Sequence, residues 1–381
     1  MKIQNTYDLN IYIDGMDITS NSGCMFVSAK INEDISTLIP TCELRFTMSN
    51  HALDEVSIVD GATIIFDIEA NTLNFKERLY FRLYQMDLKL EQEFANIRLI
   101  GLLDFYDGYK HTNAHNLYGS SSDVFNDIVN KYKLKAEIDQ TNDYQLWVAG
   151  EDNLYAYMSH VANAGWIDNT SGMFWCMDRH KILLYKNISS MFRNDSKQLW
   201  TFLQQNVPNI DEKIFVYSNA ISNIESGKEN LIYEGYGGED HYFDLLSYDW
   251  KEAVSRKVVA ESNLVNINKS LSRGLSQTWY PFDVGNFHKN YYNAIKQNKR
   301  VLSTFSTYVT LESQFFMNYR LCQIVNFVHM DSQNLSNSIR LTSGKYIIKA
   351  IEIDMTPSKI TSSLKLAMQG LNGKAVTQEV Y

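Results

Sequence analysis

Only four prolines interrupt 381 residues, which excludes extended linkers and low-complexity tracts and leaves ordered globular modules. Cysteine is equally sparse: Cys24, Cys42, Cys176 and Cys322 stand without CxxC spacing. That excludes a zinc knuckle and a dense disulfide framework, and marks the four as free, buried thiols. No apolar run reaches the roughly 18 residues of a membrane-spanning helix, and Met1 to Asn10 lacks the charged-then-apolar order of a signal peptide. The expectation is a chain made and assembled in a cytoplasm, with no membrane span. A basic excess is also missing. With 35 Lys and Arg against 44 Asp and Glu, the formal net charge is -9, which excludes a nucleic-acid binder held by phosphate contacts.

What is present is a large apolar content, 45% hydrophobic and 13% aromatic, in a chain longer than one core usually serves. Residues 1–105 alternate apolar and polar positions in six runs: Leu9 to Ile13, Met25 to Ile31, Glu43 to Met48, Thr63 to Ile68, Leu79 to Met86 and Ile97 to Leu103. Period-2 alternation is the mark of half-buried strands, and Asp14-Gly15 ends the first at a turn. Six strands with short connections predict a small antiparallel barrel or sandwich.

In residues 106–208 the period changes to 3.6. One helix is predicted from the serine run Ser120 to Ser122, with Ser120 and Asp123 at capping-box spacing and Val124, Phe125, Ile128, Val129 and Tyr132 on one face. A second follows Asn153, lines up Leu154, Tyr157, Met158 and Val161, and stops at Gly165. Strand runs Met173 to Met177 and Ile182 to Tyr185 complete an α+β domain, and Pro208 marks a joint. Strand pattern returns at Ile214 to Tyr217 and Leu231 to Tyr236. It breaks over about 241–303, where helical stretches (Glu252 to Asn263, Lys289 to Val301) flank an aromatic loop, and resumes at Phe305 to Leu311, Cys322 to His329, Tyr346 to Ile353 and Ser362 to Met368. The expected fold class is therefore mainly β with α+β: a barrel (1–105), an α+β domain (106–208), and a second barrel (209–240 and 304–371) opened by an insertion (241–303), with a tail at 372–381. The equal strand counts suggest a duplication, although no residue-level repeat is visible.

That order of parts, with local phrases Tyr12-Ile13-Asp14-Gly15-Met16-Asp17-Ile18, Gly119 to Val124, Tyr144-Gln145-Leu146-Trp147, Gly165-Trp166 and Ser343 to Ile348, resembles the central baseplate hub proteins of contractile-tailed phages and the hub part of type VI secretion spike proteins. The resemblance implies two tube-protein-like barrels per chain and a homotrimer forming a six-barrel ring. Such a ring would join a hexameric tail tube protein to a trimeric central spike protein, with tape measure and baseplate wedge proteins as further neighbours. It also implies a place in the virion tail baseplate, a lumen through which genome DNA passes without specific binding, no cofactor and no enzymatic activity. The hub of a non-phage injection or type VI apparatus is the first alternative; a carbohydrate-binding β-module or tail-associated hydrolase is the second.

Candidates for chemistry are weak. His111 and His115 have i,i+4 spacing without an HExxH glutamate between them, and read as a solvated turn rather than a metal pair. Cys176, Asp178 and His180 share a direction through strand pleat alone. Gly235 to Asp240 lacks the GK[ST] of a phosphate loop. The stretch singled out as a possible interface is Trp279, Tyr280, Phe282, Phe287, Tyr291 and Tyr292, because aromatic residues concentrate in interface cores. The competing reading is that it packs on its own chain.

Overall fold

The computed structural model describes residues 7–55, 58–70, 75–105, 108, 115–149, 153–168, 171–193, 200–203, 214–216, 224–225, 239–244, 249–253, 277–283, 287–299, 305, 307–313, 319–328 and 343–368. The first unit comprises β1 (Asp8–Ile13), β2 (Met16–Asp17), β3 (Cys24–Asp34), β4 (Thr41–Ser49), α1 (Asn50–Glu55), β5 (Thr63–Ala70), β6 (Phe75–Leu90) and β7 (Phe94–Leu103). All six strand runs read from alternation are strands here. They pair antiparallel in the order β3-β4-β7-β6-β5-β1-β2 and curl around one core. Ile11, Ile31, Leu44, Phe66, Phe81 and Leu99 all point inward, as a period of two requires when one face is buried. The Asp14-Gly15 turn carries positive φ at both residues (45° and 87°), which only a residue tolerant of the left-handed region accepts.

The second unit comprises β8 (His115–Gly119), α2 (Ser121–Tyr132), β9 (Lys135–Ile138), β10 (Gln145–Ala149), α3 (Leu154–Ala164), β11 (Met173–Met177), β12 (Ile182–Asn187) and α4 (Ile188–Arg193). The capping box at Ser120 is formed: Asp123 N–H donates to Ser120 Oγ, and Ser120 N–H donates to Asp123 Oδ2 at 2.9 Å. Asn153 caps α3 through Ala156 N–H.

The third unit holds β13 (Trp200–Leu203), β14 (Ile214–Val216), β15 (Ile224–Glu225), β16 (Glu239–Asp244), β17 (Asp249–Ala253), β18 (Gln277–Asp283), α5 (Tyr291–Lys299), β19 (Thr307–Ser313), β20 (Ile324–Val328), β21 (Gly344–Thr356) and β22 (Lys359–Met368). Two expectations are corrected within it. The aromatic stretch Gln277 to Asp283 is a strand in the small sheet β17-β16-β18 rather than a loop, and Asp249–Ala253 is a strand where a helix was expected to begin. Trp, Tyr and Phe are strong strand formers, so the aromatic run itself carried the signal. The expected strand at Leu231 to Tyr236, the helix through Asn263 and the Pro208 joint lie outside the described residues.

The first and third units repeat one another in register. Antiparallel β5-β6-β7 corresponds to β20-β21-β22. Ile64 faces Phe81 as Val325 faces Tyr346, and Gln85 faces Ile100 as Ala350 faces Lys365. Each long strand is interrupted by one bulge, between Leu83 and Gln85 in β6 and between Ile348 and Ala350 in β21. The Phe66–Phe81 rings meet edge to face at 5.7 Å and 83°, and Phe327–Tyr346 at 5.8 Å and 86°. Outward from there, Leu44 lies opposite Leu99 as Leu311 lies opposite Leu364, and Ile31 opposite Cys42 as Ile224 lies opposite Val309. The repeat ends at the next strand, since β1 runs antiparallel to β5 but β13 runs parallel to β20. The two copies are fused into one 14-stranded sheet, because β21 beyond its bulge pairs with β3, Ala350–Met355 against Ala29–Asp34.

Candidate assembly site

Three units meet at the tight turn Asp178–Lys181 between β11 and β12. Asp178 Oδ1 accepts from His180 N–H and Ile182 N–H, both at 2.9 Å, which closes the turn and leaves Arg179 at its tip. Arg179 enters the first barrel. Its Nη1 lies 2.6 Å from Glu33 Oε1, its Nε 2.8 Å from Glu77 Oε1, and its own N–H donates to Glu33 Oε2 at 2.9 Å. Neither the guanidinium nor Glu33 is exposed. Burial pushes the Glu33 carboxyl up, and the Arg179 charge opposes that shift. Glu33 and Glu77 both occupy inward positions, in rows otherwise made of Ala29 and Ile31 in β3 and of Leu79, Phe81 and Leu83 in β6. His180 Nε2 sits 3.1 Å from Glu77 Oε1, Lys181 reaches Asp104, and Arg320 of the third unit lies 2.9 Å from Glu137 and 3.5 Å from Asp178. The turn is thus a polar bolt through all three units.

Behind it, Ser121, Asp143 and Tyr185 form a second buried network. Asp143 accepts from Ser121 N–H (2.8 Å), Ser121 Oγ (2.6 Å) and Trp166 N–H (2.7 Å), and Ser121 Oγ contacts the Tyr185 hydroxyl at 2.8 Å. The expected helix stop at Gly165 is present, but its φ of -65° is open to any residue. The glycine is needed instead for space, because a Cβ there would lie 2.1 Å from the Tyr185 hydroxyl oxygen.

The structure divides the six aromatic candidates. Trp279, Tyr280 and Phe282 lie on β18; their side chains, and that of Tyr292, lie outside the described residues. Phe287 and Tyr291 stack on one another at 3.8 Å and 6°, with Tyr291 buried in the core. Around them the chain is fastened to the α+β unit. His288 Nε2 lies 2.9 Å from Ala164 O. Asn298 Nδ2 donates to Ala162 O (3.1 Å), Asn163 O (3.0 Å) and Gly165 O (2.7 Å), and Asn298 Oδ1 accepts from Met173 N–H at 2.8 Å. One amide group therefore lies within hydrogen-bonding reach of three carbonyls at the end of α3, of which Ala162 O also accepts from Gly165 N–H.

The other chemical candidates do not converge. Cys176 is buried, and contact with the Cys322 thiol together with burial holds it well above the ordinary thiol range, so it stays protonated. His180 points to Glu77 rather than to Cys176. Among the described residues no group of three His, Cys, Asp or Glu side chains could hold a metal ion, and no helix is long and apolar enough to cross a membrane. His111 lies outside the described residues, as do the His115 side chain and the start of Gly235 to Asp240.

Sequence reasoning missed the exposed apolar surface. Tyr118, Leu146 and Val148 share the outer face of the two-stranded β8-β10 sheet, beside Tyr144. A second row, Met86, Leu88 and Leu90, runs along the end of β6. Both were legible as alternation that places apolar residues on each face.

Two curled antiparallel sheets fused edge to edge and bolted to an α+β unit make a fold shared with phage tail proteins. The sequence matches no family model and no curated protein. Among solved structures, the chain is similar to the tail protein from Neisseria meningitidis MC58 (TM-score 0.59, 8% identity, 96% of this chain and 98% of that one). It is also similar to the 43 kDa tail protein of prophage MuSo2 from Shewanella oneidensis (TM-score 0.57, 8% identity, 95% and 96% of the two chains).

Proposed function

We propose that this chain is the central hub of a phage tail baseplate, a homotrimeric adaptor without catalytic activity that joins a hexameric tail tube to a trimeric spike. The observation that carries the reading is the in-register repeat of two sheets fused through β3 and β21. A chain that presents two equivalent units can match a sixfold partner on one side with three copies, and a threefold partner on the other. Overlap with two tail proteins over nearly their whole lengths supports the same reading.

The outward face of the fused sheet fits a surface past which DNA slides. Several of its cations are paired with acids: Lys30 with Glu352 and Asp354, Arg45 with Glu43, and Arg98 with Glu43 and Asp87. Paired cations have little left to offer phosphates, and three chains together carry a net negative charge. Electron-microscope class averages of the purified protein mixed with its tube protein test the proposal. A threefold ring with an axial hole, seated on the tube end, is expected; particles without an axial hole that leave tube ends bare would overturn it.

A further inference from the structure

The four cysteines are free, but two of them are not isolated. Cys176, on β11 of the α+β unit, is fully buried, and its thiol is in hydrogen-bonding contact with that of Cys322, which precedes β20 in the third unit. A second link brings the same two segments together: Arg320 Nε lies 3.5 Å from Asp178 Oδ2, and each of these residues is two places from one of the cysteines. The backbone is fixed on both sides. Met177 N–H donates to Leu38 O at 2.8 Å, and Cys322 N–H donates to Ile348 O at 3.0 Å.

Cys322 also occupies a costly backbone position. Gln323 N–H donates back to Arg320 O at 3.3 Å, so Arg320–Gln323 is a tight turn in which Cys322 stands third, with a φ of 65°. That place favours glycine or asparagine. A cysteine there accepts backbone strain and sets its thiol against Cys176. The two thiols differ in access. Cys322 lines a cleft of about 340 Å³ whose walls include Glu137, Lys186, Arg320 and Gln323, and Glu137 and Arg320 are part exposed. Cys176 lies behind it.

We propose that Cys176 and Cys322 form an oxidation site, a dithiol that a peroxide converts to a disulfide stapling the third unit to the α+β unit. Peroxide enters by the cleft. The Cys322 sulfur attacks one peroxide oxygen, the O–O bond breaks, and the departing hydroxide leaves with the thiol proton as water, giving a sulfenic acid. The Cys176 sulfur then attacks the Cys322 sulfur. The S–S bond forms as the S–O bond breaks, and the hydroxyl leaves with the Cys176 proton as a second water. The two thiols lose two electrons and one peroxide gains them. The closed loop holds residues 177–321, which include β12 to β19, so the staple restricts the unfolded chain over a long stretch. A reducing cytoplasm keeps the pair open and an oxidising medium closes it. A tail particle released from a cell meets that change of medium; this use rests on the hub reading, and the cross-link itself does not.

The reduced protein, treated with hydrogen peroxide, is unfolded in urea with iodoacetamide, digested and mapped. The expected result is one peptide pair joining Cys176 to Cys322, released by dithiothreitol, with Cys24 and Cys42 unlinked. The urea midpoint should rise on oxidation by on the order of 1 M and return on reduction. Cys322→Ser should abolish both the link and the rise, and Cys42→Ala should abolish neither. If Cys322→Ser does not fold, the map of the unaltered protein decides. Four alkylated cysteines after peroxide, sulfinic or sulfonic acid at Cys322 without a link, or a link that leaves the midpoint unchanged would each overturn the inference. None of these outcomes bears on ring formation, which tests the hub reading separately.

Discussion

Arg179 and Glu33, far apart in the chain, meet with 2.6 Å between Nη1 and Oε1 in a site closed to water. Removing one member of such a pair strands a buried charge. Arg179→Met should destabilise the protein by about 3–5 kcal/mol, read as a lower urea midpoint. Adding Glu33→Gln should recover part of the loss. A loss below about 1 kcal/mol would contradict the role of the turn as a bolt between units.

Asn298 holds the end of α3 and the start of β11 at once. Asn298→Ala leaves three carbonyls and one amide without this partner, and should cost about 1–3 kcal/mol. The specific readout is hydrogen exchange at the Met173 amide, which donates to Asn298 Oδ1. Its protection should fall more than that of the β3 and β4 amides. Equal change throughout would point to general destabilisation instead.

Gly165→Ala should cost about 1–3 kcal/mol through overpacking, because the new methyl would meet the Tyr185 hydroxyl. Tyr185→Phe removes that oxygen, so the two changes together should cost less than their separate losses combined. Simple additivity would show that the contact is not the reason for the glycine.

Much of this was legible in the sequence, and the failures have physical causes. The six strands of the first barrel, the Ser120 capping box and both helices of the α+β unit follow from alternation and capping chemistry that act locally. The repeat was invisible because it is conserved in register and bulge position rather than identity: Met86-Asp87-Leu88 stands for Ile351-Glu352-Ile353, equivalent in pattern and different in every residue. The bolt was missed because Glu33 and Glu77 are meaningful only once strand phase shows that they face inward. Arg179 looks like an ordinary turn residue. The strand at Gln277–Asp283 is not legible as one because Pro281 interrupts its aromatic run, although an edge strand tolerates proline.

Glu43 carries a pH dependence. The hydrogen bond from Arg98, assisted by Arg45, holds its carboxyl at about 2, below the ordinary 4.5. A folded value below the unfolded one means stabilisation fully present above the ordinary carboxylate range and lost as pH falls toward 2. Urea midpoints of the unaltered protein and Glu43→Gln should therefore differ at neutral pH and converge through that window. A constant difference across it would remove Glu43 from the account.

The central claim is that three copies of this chain make one ring. Light scattering on a sizing column measures it directly, against a chain mass of 44.0 kDa. The account predicts a particle of about 132 kDa, three times that mass. A monomer at every concentration, unchanged when spike and tube proteins are added, would contradict it.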